Sequence, residues 1–584
     1  MVNNSETKFR TPLEHEDLQV YIQPKLNVSL KLSDRSSTQV ELPFSEYFRL
    51  FYTPDSPVLE KLGENKDKVT IKDKMKDAEP YNLFTNSLSF CEGTEEQLYS
   101  IKFTDLLCPS LGNVKKSLLF THRIDVQFLI EQYAARKLHC TPITVIFGSE
   151  NPKVQEPVLK ELYPNIDFHI PHTDKLFNIQ SAHCLIFQYD DNSIRIVIGS
   201  PSIYAPDWNN YNGLIWISPR CPKLPSGMSQ RDGESKTGFK SDLLNFLLSY
   251  KIQSLGGWIN VVKSADFSEV RVFLVYGRPG IHQPRKNGCP LHFLGHLLSH
   301  HYKIPPYQTD HDLWRIIVQS SSLGKLGRTP DEWFTTWFLN SLSSSVNNQY
   351  LPTLRPTFKG QFSVLYPTIE NALTCFLGPV GAWGSRYDAD LRDQQRWLEP
   401  YLCSWKADSA KRTKAIFHSR TVCRISPCCK KLAYFYLTTS NISRAGWGKI
   451  EDGDITVKMR TYHTGILFLP KFFDKEYFEV ADLSCGATNN KFPIMYDLPL
   501  TPYGPEDEPY CLDEMIERRL VDLDNMNIDK PRFVSDVKDS DVKTPSEEKW
   551  DKFVNIAMED KRIIPKSCSV LPSTSTFFPT FNKN

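Results

Sequence analysis

Short apolar stretches along the chain predict strands, and several of them lead into amphipathic helices. The stretch "SLLFTHRIDVQFLIEQY", from residue 117, predicts a strand followed by a helix, and "TPITVIFGS" predicts a strand that ends at a Gly-Ser turn. The segment "FKSDLLNFLLSYKI" has apolar residues at helical spacing. This mixture predicts an α/β fold.

The same pattern of predicted strands that end in polar turns occurs in both halves of the chain. In the first half, "CLIFQYDDNSIRIVIGS" has two apolar runs around the turn residues 190–193, which predicts a hairpin that ends at "GSPS". In the second half, "DLWRIIVQSSSLGKLG" and "LAYFYLTTSNISRAGWG" again predict strands that end in polar turns. We therefore predict one module used twice.

The length of 584 residues exceeds one ordinary core, so two domains with tails are expected. We predict a polar N-terminal tail over 1–41 and a first domain over 42–277, which ends where Gly277, Pro279 and Gly280 punctuate the chain. A second domain is predicted over 278–510. An acidic C-terminal tail or peripheral helix is predicted over 511–584.

Composition excludes several classes of protein. The formal net charge is +1, so any nucleic-acid site must be local. No apolar run is long enough to span a bilayer, and the charged opening residues do not form a signal peptide, so no membrane partner is expected. The 14 Cys are scattered without a CxxC pair, which favours reduced thiols over disulfides or zinc sites.

Three residues in the second half form a candidate catalytic group. His418 and Arg420 are two positions apart, so on a strand they share a face, and Asn441 lies 441 − 418 = 23 residues after His418 at the end of the next predicted strand. A His can act as nucleophile or acid/base on phosphorus, while a cation and an amide bind the non-bridging oxygens. Such a half-site needs a second His opposite it.

The motif "HSR", followed by "LTTSNISRAGWG", "RTYHTGILFLP" and "YDLPLTPYG", resembles the second catalytic half of the tyrosyl-DNA phosphodiesterase family, in the phospholipase D superfamily. The stretches "NVKKSLLFTHRIDVQFLIEQY" and "IRIVIGSPSIYAPDWNNYNGLIWISP" are similar to its first half, and the resemblance covers roughly residues 42–510. It implies two similar αβα sandwich domains with mixed sheets, related by a pseudo-twofold axis, with a binding groove between them.

The resemblance also implies a partner and a setting. The expected partner is a DNA 3′ end, single-stranded or frayed and sometimes protein-linked, in DNA repair. Neither a cofactor nor a metal is implied, because the His and Lys chemistry of the family needs none. The protein is expected to be a monomer in the nucleus, with the cytoplasm as a second location.

The family carries two His-x-Lys motifs, each with a downstream Asn; one His attacks phosphorus and the other protonates the leaving group. By resemblance, His418 matches the acid/base, Arg420 stands where Lys is usual, and Asn441 matches the Asn. Arg keeps the charge but is a planar fork rather than a compact ammonium. His463 falls where the family usually carries a Glu that supports the acid/base His.

The first half departs further from the family. One register puts Ser181 at the nucleophilic His, His183 at the Lys and Ser202 at the Asn. A second register gives His183 the nucleophile's place, but Leu185 then replaces the Lys, and His183 could equally be a structural strand residue. Neither register restores the motif, and Ser without an activating base is a poor nucleophile.

Further candidates for DNA binding come from loops. By resemblance, Ser321 and Ser322 hold the DNA backbone, and Gly384 and Ser385 offer backbone N–H groups to phosphate. The basic loop "KADSAKRTK", directly before His418, is either a solvated loop or a local patch for the DNA backbone.

Two functions therefore stay open at the level of sequence. The first is a tyrosyl-DNA phosphodiesterase-like protein that acts on 3′ phosphodiester ends with weakened or lost hydrolysis. The alternative is a catalytically inactive paralog that binds DNA ends or a protein partner through the groove. The family resemblance favours a hydrolase, whereas the altered first half-site argues against one, so enzyme status stays undecided.

Overall fold

The computed structural model describes residues 25–31, 37–43, 69–89, 91–148, 163–171, 179–229, 231–282, 288–303, 312–347, 361–382, 384–450 and 456–525. Within these ranges, none of the helices combines the length and the apolar character needed to cross a bilayer. The cysteines of the described part are all free thiols, in agreement with the scattered spacing in the sequence.

A mixed sheet of eight strands forms the first domain. Its strands are β3 Leu83–Asn86, β4 Ser100–Ile101, β5 Val114–Thr121, β6 Ile143–Phe147, β7 Ile166–His169, β9 Cys184–Tyr189, β10 Ile194–Gly199 and β11 Leu214–Ile217. Their order across the sheet is β4-β3-β11-β10-β9-β5-β6-β7. The predicted hairpin is confirmed as β9 and β10.

A second mixed sheet of ten strands forms the other domain. Its strands are β8 Ile179–Gln180, β12 Phe273–Gly277, β14 Arg315–Gln319, β15 Phe362–Leu365, β16 Leu402–Ser404, β17 Arg420–Ile425, β18 Lys431–Thr438, β21 Thr461–Phe468, β22 Phe478–Glu479 and β23 Thr501–Pro502. The main order is β12-β21-β18-β17-β14-β15-β16-β23, with β22 on β18 and β8 on β21.

The two sheets repeat one topology. In the first, β5 pairs parallel with β6 and antiparallel with β9, and β9 pairs antiparallel with β10. In the second, β14 pairs parallel with β15 and antiparallel with β17, and β17 pairs antiparallel with β18. The prediction of one module used twice is therefore confirmed.

Two small sheets lie outside the repeat. One contains β1 Lys25–Lys31 and β2 Ser37–Pro43, and the other contains β13 Gly280–His282, β19 Lys449–Ile450 and β20 Val457–Met459.

Helices connect the strands and cover the sheets. The α-helices are Ile71–Ala78, Phe103–Leu106, Val126–Ala135, Ala205–Asn209, Phe239–Ser249, Leu255–Lys263, Pro290–His301, Asn340–Ser343, Ile369–Thr374, Ala389–Gln394, Arg444–Trp447 and Leu512–Asn525. Short 3₁₀ segments span Pro330–Glu332, Gly378–Ala382, Arg396–Tyr401, Pro470–Phe473 and Leu483–Cys485, and a π-helix spans Phe334–Leu339.

Alternation along β5 shows how the first sheet is buried on both faces. Leu118 and Phe120 belong to a large core shared with the second domain, whereas Leu119 faces a separate core under the helix Val126–Ala135. Side chains one residue apart point to opposite faces of a strand. The shared core joins the two domains.

The structure refines the predicted domain limits. Strand β12, which the boundary at 277/278 assigns to the first domain, is part of the second sheet through its pairing with β21. The predicted N-terminal tail contains the β1–β2 hairpin. The predicted acidic tail begins as the helix Leu512–Asn525, in which Ile516 is fully buried, while residues 526–584 lie outside the described residues.

Candidate active site

The polar centre lies where the ends of β9 and β17 meet across the domain interface. His418 donates its backbone N–H to the carbonyl oxygen of Asn212 in the first domain, at 2.8 Å. In return, the backbone N–H of His183 donates to Thr464 Oγ1 at 3.1 Å, and that hydroxyl donates to the His183 carbonyl at 3.0 Å. The backbones of both candidate half-sites are thus fixed by contacts from the opposite domain.

Arg420 and Asn441 form a tight pair in the second half-site. Arg420 Nε donates to Asn441 Oδ1 at 2.8 Å, and Arg420 Nη2 donates to His418 Nε2 at 2.9 Å. Arg420 is 7% exposed, and burial lowers the pKa of its guanidinium to about 10. The side chain is still charged at neutral pH, so the second half-site carries a buried cation.

The contact with Arg420 fixes the tautomer of His418. A guanidinium has only donors, so Nε2 must accept, and a neutral ring then carries its proton on Nδ1. Nδ1 lies 3.5 Å from an Asp207 carboxylate oxygen, longer than an ordinary hydrogen bond. Burial and the charge of Arg420 lower the pKa of His418 despite this carboxylate. His418 is therefore mostly neutral before a substrate arrives.

Asp207 is a carboxylate that the sequence analysis did not single out. It accepts from the backbone N–H of Ser202 at 2.9 Å and faces His418, so it links the two half-sites. Burial alone would raise the pKa of Asp207, but contact with His418 and the nearby charge of Arg123 hold it below its ordinary value. Asp207 is thus an ionised group that can stabilise a protonated His418.

In the structure, the serines that were predicted to bind DNA lie in contact with Asn441. Ser321 Oγ and the backbone N–H of Ser322 each donate to Asn441 Oδ1 at 3.1 Å, and Ser320 Oγ lies 3.3 Å from the same oxygen. Ser321 is fully buried. These contacts fix the Asn441 amide beside Arg420.

Gly384 and Ser385 border the same centre. A Cβ atom built on Gly384 would meet the His418 ring at 3.7 Å, so this glycine lies directly against the imidazole. The Ser385 hydroxyl is buried without a hydrogen-bond partner among the described residues. A phosphate oxygen would satisfy such a hydroxyl.

The first half-site has much less of this network. His183 Nε2 lies 3.3 Å from Ser202 Oγ, and His183 Nδ1 is buried without a hydrogen bond to any described residue. Burial, followed by the charge of Arg420, lowers the pKa of His183 well below its ordinary value. Ser181 is partly exposed, and its backbone N–H donates to the Tyr462 carbonyl at 3.0 Å. A neutral imidazole therefore occupies the place opposite Arg420.

Strand pairing relates the residues of the two halves. Phe120 pairs with Cys184 on β5 and β9, so one step further Thr121 stands opposite His183. Gln319 pairs with Thr421 on β14 and β17, so one step further Ser320 stands opposite Arg420. His183 is thus the counterpart of Arg420.

A spacing of two residues along the chain identifies the counterpart of His418. Ser181 precedes His183 as His418 precedes Arg420, and the side-chain contact of His183 with Ser202 repeats that of Arg420 with Asn441. This geometry corresponds to the first of the two sequence registers.

His463 is held by two threonines. Its Nδ1 lies 3.4 Å from Thr439 Oγ1, and its Nε2 contacts Thr461 Oγ1. Burial, followed by the charge of Arg420, lowers the pKa of His463 to about 3. His463 is neutral, so it supplies no charge in place of the Glu expected there from the resemblance.

Comparison with known proteins decides the family. A profile of the tyrosyl-DNA phosphodiesterase family matches residues 82–504. The chain belongs to this family. It is 31% identical over 457 residues to Drosophila melanogaster tyrosyl-DNA phosphodiesterase 1, a match that covers 75% of each protein. It is 27% identical over 454 residues to the Arabidopsis thaliana protein of the same name, which covers 70% of this chain and 71% of the relative.

Solved structures confirm the fold. A point mutant of yeast tyrosyl-DNA phosphodiesterase 1 superimposes with a TM-score of 0.58 at 18% identity, covering 74% of this chain and 99% of the yeast chain. The unsubstituted yeast enzyme gives a TM-score of 0.57 at 17% identity, with the same coverage of both chains. The predicted phospholipase D-like arrangement of two αβα domains is therefore confirmed.

Within this family fold, Arg412 has a structural role. It is fully buried, and its guanidinium donates to the Gln97 side-chain oxygen at 2.9 Å, the Asn86 carbonyl at 2.8 Å and the Asn212 side-chain oxygen at 3.1 Å. Of the two alternatives for the basic loop before His418, neither applies to Arg412, because its side chain points into the domain interface instead of into solvent or toward DNA. Lys406, by contrast, is exposed.

The sequence analysis missed His122 and Arg123 as well as Asp207. His122 Nδ1 lies 2.7 Å from the Gln180 carbonyl, and the charge of Arg123 influences His418, Asp207 and Arg420. Both residues follow β5, as Ser321 and Ser322 follow β14. A position-by-position comparison of the two modules could have revealed them. Among the described residues, no group of three or more His, Cys, Asp or Glu side chains is arranged to hold a metal ion.

Proposed function

We propose that this protein recognises 3′ phosphodiester ends of DNA, single-stranded or frayed and including protein-linked ends, and acts in DNA repair with weakened hydrolysis. The observation that carries the proposal is the second half-site, where Arg420 and the Asn441 amide converge beside His418. A fixed cation and an amide suit the non-bridging oxygens of a phosphodiester. The names of the relatives support the same substrate class.

The altered first half-site supports the weakened hydrolysis. A neutral His183 replaces a cation, and the short hydroxyl of Ser202 replaces an amide. Groups that act together in catalysis are strongly non-additive, so the loss of several of them lowers the rate by several powers of ten.

Binding is tested with an oligonucleotide that carries a 3′-phosphotyrosine, in a titration at several salt concentrations. We expect tight binding at low salt and a steep loss of affinity as salt rises, because phosphate contacts release counterions. The same oligonucleotide with a free 3′ hydroxyl should bind more weakly. Equal affinity for the 3′-phosphotyrosyl and 3′-hydroxyl ends, or an affinity that does not change with salt, would contradict the proposal.

The alternative is an inactive paralog that binds DNA ends or a protein partner through the same groove. The loss of His at position 181 favours it, since Ser181 has no base at hand among the hydrogen bonds of the described residues. Gel analysis of the 3′-phosphotyrosyl oligonucleotide distinguishes the two functions. Detectable release of tyrosine favours the hydrolase, and binding without release favours the paralog.

Nuclear localisation and a monomeric state complete the proposal. Fluorescence microscopy of the tagged full-length chain should show nuclear signal, with any remainder in the cytoplasm. Light scattering after size-exclusion chromatography should give a mass near the 67.3 kDa of one chain.

A further inference from the structure

We propose that His122 and Arg123 form a replacement first half-site, in which His122 attacks phosphorus and Arg123 binds the phosphate oxygens. The inference rests on the proposed function, because the substrate is the same phosphodiester. It assigns the missing His and cation of the first half to the loop after β5 rather than to β9.

The pseudo-twofold repeat locates this loop. Ile124 forms a parallel bridge with Ile203 in the first half, and Leu323 forms a parallel bridge with Ile442 in the second. Ile203 directly follows Ser202, as Ile442 directly follows Asn441. The residues before Ile124 therefore lie beside Ser202 as the residues before Leu323 lie beside Asn441.

Hydrogen bonds at the start of each loop repeat as well. The backbone N–H of Ile203 donates to Thr121 Oγ1 at 2.9 Å, and that of Ile442 donates to Ser320 Oγ at 3.1 Å. Thr121 Oγ1 also donates to the carbonyl of Arg123 at 2.5 Å, just as Ser320 Oγ donates to the carbonyl of Ser322 at 2.6 Å.

The counterparts follow from these two pairs of contacts. His122 corresponds to Ser321, and Arg123 corresponds to Ser322. Both serines contact Asn441 at the second half-site. The repeat therefore directs His122 and Arg123 to the first half-site, next to Ser202.

His122 is oriented as a reactive histidine must be. Its Nδ1 lies 2.7 Å from the Gln180 carbonyl, which can only accept, so Nδ1 carries the proton and Nε2 carries the lone pair of the neutral ring. Gln180 belongs to β8, which pairs with β21 of the second domain, so both domains hold this ring in place. His122 is partly exposed, whereas His183 and His463 are buried.

The electrostatic couplings agree with this placement. The charge of His122 contributes to lowering the pKa of both His183 and His463, after burial and Arg420. Arg123 acts in the same way on His418 and helps to hold the pKa of Asp207 down. His122 and Arg123 thus lie within electrostatic range of the residues that define the polar centre.

These residues can supply the nucleophile and transfer the protons that the reaction requires. His418 first takes up a proton, which the Asp207 carboxylate beside it stabilises. His122 Nε2 then forms a bond to phosphorus as the bond from phosphorus to the leaving oxygen breaks, and His418 gives that oxygen its proton. Water then attacks phosphorus, the P–N bond breaks, and His418 takes a proton from the water. Arg123 and Arg420 bind the non-bridging oxygens from opposite halves of the site.

A rival nucleophile is the hydroxyl of Ser202, which lies 3.3 Å from His183 Nε2. Ser202 is only 1% exposed, whereas His122 is partly exposed, so His122 is the more accessible of the two nucleophiles. The experiment below separates the two nucleophiles directly.

The first test traps the intermediate. The full-length protein is mixed with 3′-phosphotyrosyl oligonucleotide, denatured within the first turnover, digested, and analysed by mass spectrometry under conditions that preserve phosphohistidine. We expect the adduct on His122. An adduct on Ser202, Ser181, His183 or His418 would overturn the proposal.

The second test uses His122→Ala with His139→Ala as a matched control, because His139 is an exposed His of the same domain. His122→Ala should lose at least about 100-fold in turnover while its affinity for the oligonucleotide changes little. Added imidazole should restore part of the turnover, which a purely structural role would not allow. Unchanged turnover in His122→Ala would contradict the proposal.

The third test concerns the cation. Arg123→Ala should weaken binding about tenfold and reduce the slope of log affinity against log salt by about 1, and Arg123→Lys should recover most of the loss. Arg231→Ala, at an exposed Arg of the same domain, is the control. Equal effects of Arg123→Ala and Arg231→Ala would contradict the role of Arg123.

The results can contradict the role of His122 without contradicting the recognition of DNA ends. Wild-type protein that binds the 3′ end but gives neither adduct nor turnover contradicts the role of His122 and leaves the proposed recognition of DNA ends intact. Wild-type protein that does not bind the 3′ end contradicts both proposals.

Discussion

The two half-sites have the same backbone and different chemistry. In the second half, the Asn441 side-chain oxygen accepts from Arg420, Ser321 and the backbone N–H of Ser322. In the first half, the corresponding contact between side chains is one hydrogen bond of 3.3 Å between His183 Nε2 and Ser202 Oγ. The strand pairing that supports both is the same. A repeated scaffold therefore does not preserve a repeated site, because function depends on the side chains placed on it.

The two half-sites are both buried, but they differ in charge. Both half-sites bury their polar groups, but Arg keeps its proton with a pKa of about 10, whereas His183 loses its charge. Desolvation penalises both cations, and only the one with the higher intrinsic pKa survives it at neutral pH. Of the two counterparts His183 and Arg420, only Arg420 therefore carries a positive charge at neutral pH.

The largest expected effect comes from making the halves alike. The triple variant Ser181→His, His183→Lys, Ser202→Asn should raise turnover of the 3′-phosphotyrosyl oligonucleotide by about 100-fold or more, because it restores nucleophile, cation and amide together. Each single change should give little, since the three groups act as one unit. Gel-based single-turnover kinetics measures this.

The same triple change in a His122→Ala background is the control. It should remain active, because the nucleophile is then at position 181. A triple variant with no gain over wild type would show that the half-sites differ in more than these three side chains.

Removing the central acceptor of each half should have unequal effects on stability. Asn441→Ala leaves Arg420 Nε, the Ser321 hydroxyl and the backbone N–H of Ser322 without their acceptor and should lower the free energy of unfolding by about 2 kcal/mol. Ser202→Ala removes one long hydrogen bond and should cost less than about 1 kcal/mol. Urea unfolding of both variants, with exposed Asn347→Ala as control, measures the difference. Equal losses would contradict the asymmetry.

Within the second half-site, binding should depend on the cation more than on the His. Arg420→Ala should weaken binding of the 3′ end by about 1–3 kcal/mol, as expected when a charged hydrogen bond to phosphate is lost. His418→Ala should change affinity only modestly, because this ring is mostly neutral. Fluorescence anisotropy with the exposed Arg271→Ala as control tests this. Negligible effects of both changes would mean that this strand end does not face the DNA.

The last prediction concerns the dependence of stability on pH. The pKa of His463 falls from 6.5 to about 3 on folding, so below pH 6.5 the unfolded chain takes up a proton that the folded protein refuses. Stability should therefore decrease as the pH falls from 6.5, by up to about 1.4 kcal/mol per pH unit from this residue. His463→Gln should show a shallower decrease between pH 6.5 and about pH 5. An unchanged slope would place the proton uptake elsewhere.

The repeated architecture could be predicted from sequence because its cause is local. The alternation in "CLIFQYDDNSIRIVIGS" and the apolar run in "LAYFYLTT" determine strands by themselves, and both are found as β9, β10 and β18. The same local pattern placed Arg420 on a strand, which it begins as the first residue of β17, whereas His418 lies two residues before that strand. The roles assigned to the site residues stay predictions.

Other features depend on contacts between distant segments. Nothing near Arg412 in the sequence marks it as buried, and its partners Asn86 and Gln97 lie more than 300 positions away. Strand β12 could not be assigned to the second sheet, because its partner β21 comes almost 200 residues later.

The sequence by itself determined the fold class, the repeat and the grouping of His418, Arg420 and Asn441, but not Asp207, which faces His418 from the other half. Only the tertiary structure decided what faces the first half-site. Ser181, His183 and Ser202 could be read from strand patterns, but His122 and Arg123 reach the same place from a loop about 60 residues earlier, through the bridge from Ile124 to Ile203. Patterns along a strand are set by local geometry, whereas the convergence of separate loops depends on how sheets pair and pack.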